Sequence, residues 1–311
     1  MKILITGGAG FIGSNLAKYI LKQDPKTEIV ILDDLSTGFK ENIEGLDVKF
    51  IEGTILDEKV VEEACAGVDS VVHLAAIGSV PRSIDKPKPS NDANTRGTLN
   101  ILDAARLEGV EQVIVASSSA VYGANPKLPR EESDWTRPIS PYGVSKLATE
   151  GYAIAYQHSY GMKTVAFRFF NVYGPAQSAN HAYAAVIPQF VHAALHKKPL
   201  PLNGDGTQSR DFTYVETLCE VVWEAIVNKL SYPSPINLAF GDRIDLNGVI
   251  DLIQKDVGYE LDVERRPDRP GDIKASQANA TILKSLFPDV KATPIEDGLT
   301  ETIEWYKKSN N

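Results

Sequence analysis

Thr6-Gly7-Gly8-Ala9-Gly10-Phe11-Ile12-Gly13 is a glycine-rich turn between a predicted strand and a predicted helix. The apolar run Ile3–Thr6 before it reads as a strand, and the pattern near 12–23 after it reads as a helix. The turn between them holds two glycine spacings at once, Gly8-x-Gly10-x-x-Gly13 and Gly7-x-x-Gly10-x-x-Gly13. Glycine permits a tight turn and lets the backbone come close to a pyrophosphate, which then rests on the helix N-terminus. Asp33 ends the next predicted strand, 20 residues beyond Gly13. A carboxylate there accepts hydrogen bonds from ribose hydroxyls and repels a 2′-phosphate, which favours NAD over NADP. Asp34 beside it leaves open which of the two faces the ribose.

Outward from this turn, short β-branched runs alternate with helical patterns. Ile29–Asp33, Val48–Glu52, Ser70–Leu74, Val113–Ser117 and Val165–Phe169 read as further strands, continuously apolar as in a sheet buried on both faces. Helical segments lie near 57–66, 92–108 and 143–160. The alternation predicts an α/β protein built on a Rossmann-like doubly wound parallel sheet. After about residue 172 proline and glycine interrupt the rhythm at 174–204 and 231–271, with helices expected near 183–197, 215–229, 246–256 and 296–308. The expected organisation is a dinucleotide-binding domain over 1–172 with return segments near 210–242. A smaller mixed α/β substrate lobe takes 173–209 and 243–311.

The 311 residues carry a formal net charge of −9, which argues against a nucleic-acid backbone as partner. No apolar stretch is long enough for a membrane span. Cys65 and Cys219 are the only two cysteines, which implies no disulfide framework and fits a reducing cytoplasm.

Tyr142-Gly-Val-Ser-Lys146 is the second signal. Residues at i and i+4 share a helix face. Tyrosine, with a reference pKa of about 10, needs positive charge nearby to act as a base at neutral pH. Of the twelve tyrosines only Tyr142 has lysine four residues on. Ala116-Ser117-Ser118-Ser119-Ala120-Val121-Tyr122-Gly123 lies at the end of the strand from Val113, where a serine hydroxyl could bridge a substrate oxygen and Tyr142.

These pieces together resemble the extended short-chain dehydrogenase/reductases, the NAD-dependent epimerase/dehydratase family. The resemblance implies that Gly7, Gly10, Phe11, Ile12 and Gly13 cradle the NAD pyrophosphate and that Asp33 or Asp34 takes the ribose. It places Thr54 and Ile55 beside the adenine, although the family often has aspartate where Thr54 stands. Leu74, Ala75 and Ala76, in His73-Leu74-Ala75-Ala76, look like its nicotinamide-side strand end, and Asn94 like its helix asparagine. Ser117, Tyr142 and Lys146 complete the implied cofactor set. The catalytic serine falls on Ser118, with Ser119 as its alternative.

Within the family the likeness is to UDP-sugar 4-epimerases. Asn171 in Phe169-Phe170-Asn171-Val172-Tyr173-Gly174-Pro175 looks like their substrate asparagine, and Asn203 in Leu200-Pro201-Leu202-Asn203-Gly204 looks like part of their base loop. Arg210-Asp211-Phe212 and Arg269-Pro270-Gly271-Asp272 resemble their phosphate-gripping motifs, and planar guanidiniums suit a diphosphate. Ser79 and Arg82 look like a loop for N-acetylated sugars, and Ser276 stands where a bulky residue would exclude them. The resemblance implies a UDP-glucose/UDP-galactose 4-epimerase that also takes the N-acetyl forms. In such an enzyme Tyr142 removes the 4-hydroxyl proton, NAD takes the hydride, and the 4-keto sugar turns over before both return. Dehydratases and decarboxylases of the family carry an extra acid here, where this chain has Ser119 and Ala120. The alternatives are another nucleotide-sugar enzyme, such as a UDP-glucuronate 4-epimerase, and an NAD-binding regulator without activity.

His192 and His196 have metal-ligand spacing but no third ligand in view, so a polar helix face is expected and no metal. Tyr152, Tyr156 and Tyr160 at i+4 spacing read as a packed or subunit-facing stripe. The resemblance implies a homodimer through the helices near 92–108 and 143–160.

Overall fold

The computed structural model describes residues 1–179, 184–267 and 273–309. In chain order it begins β1 (Lys2–Thr6), α1 (Phe11–Gln23), β2 (Glu28–Asp33), β3 (Val48–Glu52), α2 (Glu58–Cys65) and β4 (Ser70–His73). Two short helices follow, α3 (Val80–Asp85) and α4 (Pro87–Asn91), then α5 (Gly97–Leu107), β5 (Gln112–Ser118), α6 (Pro141–Tyr160) and β6 (Lys163–Phe169). The remainder comprises β7 (Asn171–Tyr173), α7 (Val186–Leu195), β8 (Leu200–Asn203), β9 (Ser209–Tyr214), α8 (Val215–Val227) and β10 (Ile236–Leu238). It closes with β11 (Arg243–Asp245), α9 (Leu246–Val257), β12 (Val263–Arg266), α10 (Thr281–Leu286) and α11 (Ile295–Ser309).

The chain divides into two units. The first comprises Met1–Asn125, Glu132–Phe169 and Cys219–Asn237. Its centre is a seven-stranded sheet in the order β10-β6-β5-β4-β1-β2-β3, with the pairs from β6 to β3 parallel. The sheet is the expected Rossmann-like one, and the strand order reverses between β1 and β4, where such sheets bind their ligands. Leu4, Val71, Val113 and Val115 on its strands pack with Val61, Ile101, Leu102 and Ala153 of α2, α5 and α6 in one buried cluster. Each of the buried Leu, Ile and Val side chains contributes about 1.5–3 kcal/mol relative to exposure.

Two expectations change here. β3 is an edge strand, and its Lys49 and Glu52 are exposed, so it is not apolar throughout. An edge strand has a neighbour on one side only, and charges there discourage pairing with another chain. The helix expected over 92–108 begins as a wide π-helical turn, Asp92–Arg96, before α5 continues regularly.

The second unit comprises Pro126–Glu131, Phe170–Leu218 and Leu238–Asn311. It holds a three-stranded sheet, β11-β9-β7, and a parallel pair, β12 with β8. Residues 210–218, expected to return to the first unit, belong with the second. Most of β9 lies in that stretch, and β9 pairs with β7 and β11. Only Cys219–Asn237 returns. Among the described residues no helix is long and apolar enough to cross a membrane.

Candidate active site

In the first unit, the end of β1 turns sharply at Gly7, whose φ is +70°. A Cβ there would lie 2.7 Å from the Ala75 backbone nitrogen, so the β1 and β4 ends can approach this closely only with glycine. At Gly13 a Cβ would fall 2.4 Å from the Gly7 carbonyl oxygen. Gly10 is the N-cap of α1; no side chain caps the helix and no acid stands in its first turn, Phe11, Ile12 and Gly13. Such an end favours an anion.

Asp33 is buried against this turn. One carboxylate oxygen accepts from Ala9 N at 3.0 Å and the other from Leu35 N at 2.8 Å. Burial raises its pKa above the usual carboxylate value, while the Leu35 and Ala9 bonds oppose the rise. A carboxylate has about four acceptor sites, so two remain for ribose hydroxyls. Asp34 is exposed and accepts from Ser36 N. The glycine cradle, the uncapped helix end and the buried carboxylate fit a dinucleotide without a 2′-phosphate.

Thr54 accepts from Leu56 N, and the Ile55 side chain packs where Gly97 has none. Leu74 and Ala75 donate to the main-chain and side-chain oxygens of Thr6. The segment running on through Ala76 is pinned by Asn94, which accepts from Ile77 N at 2.7 Å and donates to Ile77 O. Asn94 also donates to Ser145 Oγ on α6 at 3.0 Å. The π-helical turn presents it, as such turns often do at functional sites.

Tyr142 and Lys146 lie on the first turns of α6. The Tyr142 hydroxyl is hydrogen-bonded to Ser118, which pulls its pKa down, but burial is the larger effect and raises it. Lys146 Nζ donates to Ala116 O at 2.7 Å, and burial lowers its pKa to about 8. β5 therefore holds both partners of the pair, Ala116 and Ser118. The Ser118 hydroxyl also accepts from Ala120 N, while Ser119 starts the short 3₁₀ turn Ser119–Val121. The Ser117 hydroxyl donates its proton to Glu150 Oε2 at 2.8 Å, so that proton is not available to a cofactor.

Sequence reasoning missed several supports. Glu150 and Arg168 form a buried two-pronged ion pair of 2.7 and 3.0 Å, and Arg168 also donates to the Tyr122 hydroxyl. His73 is buried between Thr6 and Thr98, at 2.7 and 3.0 Å. Burial first, then the Lys146 charge, lower its pKa to about 3, so it stays neutral. The signal available in the sequence was an arginine, Arg168, inside the otherwise apolar run Val165–Phe169.

The second unit contains its own pocket of about 230 Å³. Asn171, Asn203 and Arg210 line it from β7, β8 and β9, with Phe190, Phe212 and Leu246 supplying apolar wall. Gln189 and Gln208, which sequence reasoning did not single out, line it too. Asn171 Nδ2 donates to Asp211 O at 3.1 Å. Ser276 is not among the lining residues, but its N–H donates to Ser209 O beside Arg210. Arg269 and Asp272 lie outside the described residues. Ser79 and Arg82, in the first unit, sit at the start of α3, where Ser79 Oγ accepts from Arg82 N. His192 and His196 stack on each other, with ring centroids 4.1 Å apart. Among the described residues no cluster of three or more His, Cys, Asp or Glu is placed to hold a metal.

Known proteins resemble the chain over its whole length. A UDP-N-acetylglucosamine 4-epimerase from Methanobrevibacter ruminantium, solved with UDP-N-acetylmuramic acid, is 35% identical with a TM-score of 0.93, covering 99% of this chain and 98% of its own. A UDP-glucose 4-epimerase from Thermus thermophilus, solved with NAD, is 34% identical with a TM-score of 0.89, covering 99% of both chains. The UDP-glucose 4-epimerase of Mycolicibacterium smegmatis is 31% identical over the full length of both. The model of the NAD dependent epimerase/dehydratase family matches residues 3–239. With its glycine cradle, buried carboxylate and Tyr142–Lys146 helix, the chain belongs to that family, whose cofactor is NAD.

Proposed function

We propose that the chain is a UDP-hexose 4-epimerase, acting on UDP-glucose and UDP-galactose and on their N-acetyl forms. The observation that carries this reading is the pocket of the second unit, where three separate strands bring Asn171, Asn203 and Arg210 together. An arginine beside two amides and an apolar wall suits a nucleoside diphosphate. On this reading the first unit is the NAD domain and the second the UDP-sugar lobe. Asp33, tied to the glycine turn, is the ribose carboxylate, and exposed Asp34 is not.

The chemistry supplied by bound NAD is reversible hydride acceptance at a sugar carbon. Tyr142 takes the proton from the hydroxyl on that carbon and later returns it, with Ser118 holding the oxygen in line. A phenol raised by burial needs a neighbouring cation to ionise near neutrality, and Lys146 is the residue that supplies it. With a pKa of about 8, Lys146 is mostly charged at pH 7. No carboxyl stands at Ser119 or Ala120 to expel water or carbon dioxide from an oxidised sugar, which favours epimerisation over the family's eliminations. Arg82 and the small Ser276 favour acceptance of a 2-acetamido group.

Purified protein incubated separately with UDP-galactose and UDP-N-acetylgalactosamine, without added reductant, is expected to give the 4-epimer of each by chromatography. Tyr142→Phe is expected to lower kcat by at least about 10²-fold. Turnover of UDP-glucuronate alone, or a Tyr142→Phe variant as active as the wild type, would overturn the reading. Cys65 and Cys219, both buried and outside any disulfide, support a cytoplasmic setting. A homodimer is supported by Leu107, Val144 and Tyr160, which are 62%, 54% and 55% exposed on α5 and α6.

A further inference from the structure

Tyr142 is the second residue of α6, where helix N–H groups have no partner within the helix. Each of the first four has a fate here. Pro141 has no N–H; Gly143 N donates to Ser140 Oγ at 3.1 Å, and Val144 N to Ser140 O at 3.1 Å. The Tyr142 N–H alone is taken by another element: it donates to Ser83 Oγ on α3 at 3.0 Å. Ser83 is fully buried, and its single hydroxyl proton goes to Val80 O at 2.7 Å. Its free lone pair is therefore the acceptor that fixes the backbone of Tyr142. A hydroxyl with its proton committed inside its own helix makes this bond directional.

The same short helix carries Arg82 one residue away. Its start is held in an unusual conformation, with Ser79 at φ +93° and bonded to the N–H groups of both Arg82 and Ser83. α3 thus joins the candidate sugar-recognition segment to the helix end from which the phenol projects. We infer that Ser83 is a positioning residue, coupling the segment Ser79–Asp85 to Tyr142 through the Tyr142 main-chain N–H. The kinetic part of this inference rests on the 4-epimerase reading; the structural part does not.

The test pairs amide hydrogen exchange, resolved at Tyr142, with steady-state kinetics on UDP-galactose, for the wild type, Ser83→Ala and Ser83→Thr. In Ser83→Ala the Tyr142 amide is expected to exchange at least about tenfold faster while the later turns of α6 keep their protection. Its kcat is expected to fall about tenfold with KM within about twofold, since a misplaced group loses rate before it loses binding. Ser83→Thr, which keeps the hydroxyl, is expected to restore both. Unchanged exchange and kcat in a folded Ser83→Ala protein overturn the inference. So does exchange that rises evenly along α6 with a lower melting temperature, the mark of a plain structural brace. Should Ser83→Ala not fold, Ser83→Cys, similar in size but a weak acceptor, is read in the same way. If the wild type converts no UDP-hexose, the epimerase reading falls and the exchange result alone decides the coupling.

Discussion

Lys146 shows how one residue can be costly to the fold and useful to the site. Burial holds its pKa at about 8 against an ordinary 10.5, with the Ala116 carbonyl as its hydrogen-bond partner. The folded value lies below the unfolded one. Between about pH 8 and 10.5 the unfolded chain therefore binds more protons, and this group's contribution to stability rises with pH. Below pH 8 the full penalty is present. Lys146→Met, close in length and without charge, should be more stable than the wild type at pH 7, by on the order of 1–3 kcal/mol. The advantage should shrink as pH rises above 8, as read from denaturant midpoints at pH 7 and 9.5. A gap that stays constant with pH would mean that burial does not penalise the ammonium. Tyr142 and Lys146 were legible in the sequence because their spacing is local to one helix. Ser83 was not, because its partner lies 59 residues away and no local pattern marks it.

At the scale of elements, α6 is fastened to β5 and β6 by a polar clasp. Glu150 pairs with Arg168 of β6 and accepts the Ser117 hydroxyl proton from β5 at 2.8 Å. The clasp sits one helical turn beyond Lys146 and so holds the register in which Ala116 meets the ammonium and Ser118 the phenol. Both side chains of the ion pair are at most 4% exposed. Removing one partner strands a buried charge. Glu150→Ala should therefore lower unfolding free energy by about 3–5 kcal/mol in urea melts, far more than an exposed pair such as Lys163–Glu111 would. If Glu150→Ala melts like the wild type, the clasp holds nothing. Five of the six strands of the first half were readable from their apolar runs, β3 from a mixed apolar and charged one, and the helices from their periodicity. The π-helical turn at Asp92–Arg96 was not, since its wide pitch serves the contacts of Asn94 with Ile77 and Ser145 rather than any preference of the local sequence.

For the whole molecule, the tyrosine stripe of α6 divides according to burial. Tyr156 is 8% exposed and belongs to the core, Tyr152 packs against that core, and Tyr160 is 55% exposed with Arg106 stacked over its ring at 4.9 Å. Leu107 of α5 and Val144 of α6 are likewise exposed, and these helices are the ones proposed to meet a second copy. Light scattering should give twice the mass of the 33.9 kDa chain, and Val144→Glu should shift the population toward monomer. A wild type of single-chain mass at micromolar concentration would rule the dimer out. Legible in the order of residues alone were the parallel sheet, the glycine cradle, a carboxylate beside it at Asp33 or Asp34, and the Tyr142–Lys146 helix. Each leaves a mark within its own stretch of chain: an apolar run, a glycine spacing, a charge at a strand end, or an i, i+4 pair. Tertiary structure alone decided that Asp33 rather than Asp34 lies against the turn, that Ser117 faces Glu150, and that Asn171, Asn203 and Arg210 share a pocket. Those outcomes depend on which side chains lose their water when distant segments pack, and no local pattern encodes that.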